Sequence, residues 1–167
     1  MLKILKEKWN KNENLLKEKI NNMTPREFNE LNYKDIVKLT FETIFNDSDD
    51  YYDNLNMKQM TEIDDGDYQG TLLYLIPFKT YQPLESEYLM TYVGYGSCSG
   101  CDTLLSIQDY DYDKPITENQ KSELLQLCRD IIVNTIKPYN YGWRNDGKFD
   151  VIEDVFTPVD DSDDLPF

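Results

Sequence analysis

Hydrophobic residues recur at helical spacing towards both ends of the chain and at strand-like density in its middle. Over residues 2–23, Leu2, Leu5, Trp9, Leu16, Ile20 and Met23 fall on one side of a helix. Lys3, Lys6, Lys8, Lys11, Lys17 and Lys19 lie between them, against Glu7, Glu13 and Glu18. This is the only basic segment, and it reads as an amphipathic helix whose lysines solvate its outer face. A contact surface for acid or nucleic acid is the alternative. Thr24-Pro25-Arg26-Glu27 is a second helix start: threonine caps, proline suits the first helical position, and glutamate three residues on closes a capping box. After a short turn, Ile36, Val37, Phe41, Ile44 and Phe45 form a buried helical stripe ending near Asn46. From Asp47 to Asn56 the pattern stops, and Asp47, Asp49, Asp50 and Asp53 read as a solvated loop, since their spacing matches no calcium loop.

The middle of the chain changes period. Residues 57–63 and 68–78 read as two strands around Asp65-Gly66, a pair that favours a tight hairpin turn. Pro77 and Pro83 mark the exit from the second strand. Tyr88 to Tyr95 is aromatic and β-branched, the composition of a strand packed on both faces. Gly96, Ser97, Cys98, Ser99 and Gly100 follow, and small residues of this kind allow backbone to approach backbone in a tight turn. Thr117 starts the last long helix, supported by Glu118 and Gln120. Leu124, Leu127, Cys128, Ile131, Ile132 and Ile136 line its buried side, and Pro138 ends it. Residues 139–150 are an aromatic loop or short hairpin, after which the chain is acidic and aperiodic. The expectation is an α+β fold, an antiparallel sheet of three to four strands packed with N- and C-terminal helices. Residues 1–150 form a single domain in this reading and residues 151–167 an acidic, mobile tail.

Length and charge narrow the function. A chain of 167 residues suits one domain. A net charge of −15 repels phosphates, so direct nucleic-acid binding is not expected and a basic protein is the natural partner; charge kept for solubility is the plain alternative. The sequence has no histidine, which removes the commonest general base and any Ser–His–Asp triad. No phosphate-cradling glycine loop is present. No enzyme, no catalytic residue and no cofactor are therefore expected. No apolar run reaches bilayer length and no signal core opens the chain, so a soluble, cytoplasmic protein without a membrane partner is expected. Three cysteines, an odd number, fit a reducing compartment.

Cys98-Ser-Gly-Cys101 after a strand has the spacing of a thioredoxin-type dithiol. Dithiols of that class sit in parallel sheets, whereas the strands here read as antiparallel. A zinc site would need two further ligands, for which Cys128 and Asp102 are the candidates, without a second cysteine pair or a histidine. The favoured reading is a structural turn whose small thiols fill tight space, with no metal.

Two resemblances extend this. The run DYQGTLLYLI followed by GYGSCSGCDTL, within residues 67–105, resembles uncharacterised proteins of bacteriophages and prophages of low-GC bacteria. That likeness implies a viral origin and no particular mechanism. The last residues, Asp160, Asp161, Ser162, Asp163, Asp164, Leu165, Pro166 and Phe167, resemble the C-terminal peptide of bacterial single-stranded DNA-binding proteins. In that family the peptide docks replication, repair and recombination proteins and does not bind DNA. The chemistry suits docking: the Phe167 ring and terminal carboxylate fit an apolar pocket with a basic rim, Pro166 limits the ordering cost, and the aspartates steer a basic partner. The resulting expectation is a non-enzymatic phage protein that binds a DNA-metabolism protein. Its alternatives are an acidic DNA mimic of anti-CRISPR or anti-restriction type and a phage single-stranded DNA-binding protein.

Overall fold

A computed structural model describes residues 2–45, 54–109 and 111–136. Its helices are Leu2–Asn21 (α1), Pro25–Asn29 (α2), Tyr33–Ile44 (α3), Thr103–Ile107 (α4) and Glu118–Val133 (α5). Its strands are Thr61–Asp64 (β1), Gly70–Pro77 (β2) and Tyr88–Tyr95 (β3). They form one antiparallel sheet in the order β1-β2-β3. The fold is α+β, with helices at both ends of the described region.

Local chemistry sets the helix starts. Thr24 accepts from the Glu27 N–H, and the Glu27 carboxylate accepts from the Thr24 N–H at 2.7 Å, closing the capping box. Asn32 and Asp35 do the same for α3, and Thr117 and Gln120 for α5. As the sequence leads one to expect, a short turn separates the second start from the buried stripe: the five-residue α2 ends before a separately capped α3. Asn32 has the short polar side chain that caps α3.

The core lies between α1, α3 and α5 and one face of the sheet. Leu16, Ile20, Ile36, Val37, Phe41, Leu124 and Ile131 are almost wholly removed from water, each contributing roughly 1.5–3 kcal/mol of apolar transfer energy. Polar side chains stitch the elements together. Asn12 Nδ2 donates to the Ile44 carbonyl at 3.0 Å, fixing α1 on the end of α3. Thr91 Oγ1 donates to the Ile131 carbonyl at 2.7 Å, fixing β3 on α5. Gln120 Nε2 reaches the Ile107 carbonyl at 2.9 Å, and Gln108 Nε2 reaches the Leu31 carbonyl at 2.7 Å. These bonds hold α4 between α5 and the loop before α3.

Three sequence expectations need correction. First, β3 packs on one face: Leu89, Thr91 and Val93 are buried while Tyr92 and Gly94 are exposed, the period-2 alternation of a strand with one face on the core. Second, the hairpin is wider than a two-residue turn. Asp64 and Gly70 end the strands, with Asp65 N–H donating to the Thr71 carbonyl and Asp65 Oδ1 accepting from the Thr71 N–H at 2.6 Å. β1 is correspondingly short, because residues 57–59 are a helical turn. Third, α5 ends at Val133, and Ile136 is an isolated bridge partner of Met90, with N–H to O distances of 2.7 and 2.8 Å. β3 is a sheet edge on that side, and Ile136 satisfies backbone groups left open there. Residues 47–53, 139–150 and 151–167, to which the sequence reading assigned an acidic loop, an aromatic loop and a tail, lie outside the described residues.

Candidate functional site

The turn joining β3 to α4 is the most constructed feature of the described residues. Asp102 organises it. Its side chain caps α4 by accepting from the Leu105 N–H at 2.9 Å on Oδ1. Oδ2 reaches back across the turn to accept from the Gly96 N–H at 3.0 Å. The Tyr33 hydroxyl donates to Oδ1 at 3.0 Å and itself accepts from the Leu104 N–H at 3.2 Å. A buried carboxylate is tolerated only with such partners, and here both oxygens have them. Burial pushes the Tyr33 phenol up to about 12, so it stays a donor at neutral pH.

Above this anchor the chain folds back on itself. An added Cβ at Gly96 would lie 2.5 Å from the Cys101 carbonyl oxygen and 2.6 Å from its Sγ, so only glycine admits this approach. The fold brings the two thiols together, with Cys98 Sγ and Cys101 Sγ 2.6 Å apart. Cys98 N–H donates to Cys101 Sγ at 3.0 Å, and Cys101 N–H donates to the Cys98 carbonyl at 2.9 Å. Both cysteines are exposed. Both thiols lie outside the core, and the Cys101 sulfur and carbonyl together occupy the tight space beside Gly96.

Cys98 is electronically activated. Its thiol is held below its ordinary range, chiefly by the Cys101 side chain and then by the backbone N–H groups of Gly100 and Cys101, while desolvation and the Asp102 carboxylate work weakly against this. Cys128 is different in kind. It lies wholly in the core beside Thr40, and burial pushes its thiol up to about 12. It is not placed with Cys98 and Cys101, and Asp102 is occupied by the cap. Among the described residues no group of three or more cysteine, aspartate or glutamate side chains is arranged to hold a metal ion.

The same end of the sheet carries an acidic rim. Gly70 pairs with Tyr95, so the β1–β2 hairpin loop and the cysteine turn are neighbours in register. Asp64, Asp65 and Asp67 line that loop, with Gly66 N–H donating to Asp64 Oδ1 at 3.0 Å. The Tyr95 hydroxyl donates to Asp64 Oδ1 at 2.7 Å, a bond that pushes its phenol up to about 12. β1 is exposed along its whole length.

The docking residues read from sequence, Asp160, Asp161, Asp163, Asp164, Leu165, Pro166 and Phe167, lie outside the described residues. Tyr33 was not singled out by sequence, because nothing local marks a tyrosine that will partner an aspartate 69 positions away. Asp102 was weighed only as a spare ligand, although an aspartate before Thr-Leu-Leu also has the form of a helix cap. Among the described residues no helix is long and apolar enough to cross a membrane. No protein-family model, curated protein or solved structure matches the chain.

Proposed function

We propose that this chain is a non-enzymatic phage protein that acts in the bacterial host cytoplasm by docking on a basic protein of DNA replication, repair or recombination. The observation that carries the reading is the order of residues 160–167: four aspartates directly before Leu165, Pro166 and Phe167. Acid followed by a proline-stiffened apolar pair suits a pocket with an apolar floor and a basic rim. The resemblance to the docking peptide of single-stranded DNA-binding proteins supplies the partner class. The net charge of −15 favours basic partners and disfavours a bare nucleic-acid ligand.

The test uses a purified replication or repair protein that binds the C-terminal peptide of single-stranded DNA-binding proteins. The full chain is expected to bind it and to be displaced by that peptide, and deletion of residues 165–167 is expected to abolish binding. A peptide of residues 158–167, compared as free acid and as amide, reads the contribution of a carboxylate on Phe167. Retained binding after the deletion would refute the docking reading.

A second reading, the acidic mimic of nucleic acid that blocks a DNA-binding enzyme, is favoured by the exposed acidic stretch of Glu62, Asp64, Asp65 and Asp67. In that case the deletion leaves inhibition intact, while replacing these residues by their amides removes it.

A further inference from the structure

We propose that Cys98 and Cys101 form a reversible dithiol–disulfide site that exchanges with an accessible external disulfide. The geometry carries this on four independent points. The two sulfurs are 2.6 Å apart and both are exposed. Gly96 provides the gap into which Cys101 folds, so the approach of the sulfurs is built into the backbone. Asp102, bonded to Gly96, Leu105 and Tyr33, anchors both limbs of the turn on α3 and α4. The Cys101 side chain first, and then the backbone N–H groups of Gly100 and Cys101, favour the thiolate of Cys98, which makes it the attacking sulfur. A metal centre is the weaker use of the same atoms, since Asp102 is occupied and Cys128 is buried in the core.

The exchange proceeds in two displacements. Cys98 loses its proton to water, and the thiolate attacks one sulfur of the external disulfide. That S–S bond breaks, the first thiolate leaves and takes up a proton, and Cys98 is left in a mixed disulfide. Cys101, giving its proton to solvent, then attacks Cys98 Sγ and expels the second thiolate, which is protonated in turn. Two electrons pass from the dithiol to the external disulfide, which leaves as two thiols. The adjacency of Cys101 makes the second step intramolecular and fast.

The test treats the full native chain with oxidised glutathione at neutral pH and reads it by intact mass and peptide mapping. The expected result is loss of two hydrogens with no glutathione retained, a Cys98–Cys101 linked peptide, reduced Cys128, and full reversal by dithiothreitol. Cys101→Ser is expected to keep one glutathione on Cys98, and Cys98→Ser to load Cys101 severalfold more slowly. Three results would each overturn the proposal: a wild-type chain that retains glutathione without closing the ring, one whose exposed thiols stay unreacted, or one that binds zinc tightly enough to block them. Mapping the wild-type chain reads the linkage directly, so the outcome stands even if a serine variant folds poorly.

Discussion

The Tyr33 hydroxyl and the Asp102 carboxylate meet at 3.0 Å in the interior, joining the first turn of α3 to the turn after β3. Asp102 also accepts from Gly96 and Leu105, so its removal leaves several buried donors without partners. Asp102→Ala is expected to cost about 2–4 kcal/mol, from lost bonds to a charged group plus the lost cap. Tyr33→Phe removes one bond and strands the Leu104 N–H, and is expected to cost about 1–2 kcal/mol. Urea denaturation of the two variants and the double variant measures both, and coupling between them should appear because they share a network.

Gly96→Ala tests the close approach in isolation. The new methyl would overlap the Cys101 carbonyl and sulfur, and the turn must open to admit it. Overpacking of this kind costs about 1–3 kcal/mol. The structural effect should centre on Ser97–Asp102, so amide hydrogen exchange is expected to quicken there and remain slow in α1 and α5. Unchanged exchange in the turn would show that Gly96 is not what holds it closed.

The three cysteines should separate cleanly by reactivity. In native buffer at mildly alkaline pH, an alkylating reagent is expected to modify Cys98 and Cys101 and to leave Cys128 untouched until denaturant is added. The pH midpoint for Cys98 should lie below that of an ordinary thiol. Cys101→Ala should move it upward, because the Cys101 side chain is the largest cause of the lowering.

Alkaline stability follows from groups shifted the other way. Cys128 and Tyr33 are each raised by burial to about 12 in the folded chain, from ordinary values of 9.0 and 10.0. A raised folded pKa gives stability that is complete below the unfolded value and is lost as pH rises through the folded one. Stability is therefore expected to fall from about pH 9 towards pH 12. Tyr74 adds to the slope: burial drives its phenol further up, with the Glu62 carboxylate near enough to contribute without a well-formed hydrogen bond. Cys128→Ala should flatten the first part of this decline, read by chemical denaturation at successive pH values.

Periodicity alone locates α1, α3 and α5, because each buries a continuous stripe such as Ile36, Val37, Phe41 and Ile44. Local hydrogen bonding makes the starts at Thr24 and Thr117 equally legible, since a capping box needs only four residues. What sequence does not disclose is decided at a distance. Ile136 has the spacing of a helix face, yet Met90 on the open edge of β3 captures its backbone. The exposed state of Cys98 and Cys101 depends on a turn anchored by Tyr33, and no local pattern announces that anchor.

The docking proposed for residues 160–167 would divide its work between charge and shape, and kinetics should separate the two. On that proposal Asp160, Asp161, Asp163 and Asp164 would act before contact, so their effect should be on encounter with a basic partner. Raising the salt from about 0.01 M to about 0.15 M shortens the screening length from roughly 30 Å to roughly 8 Å, and the association rate is expected to fall with it while dissociation changes little. Replacing the aspartates by asparagine should mimic high salt and flatten the remaining salt dependence. Phe167→Ala would act after contact, by removing the ring proposed to fill the partner's pocket, and is expected to speed dissociation with a near-normal association rate. Stopped-flow measurements on the aspartate-to-asparagine and Phe167→Ala variants across the salt series provide the comparison. An association rate indifferent to salt, or a Phe167→Ala variant that dissociates like wild type, would assign binding to another part of the chain.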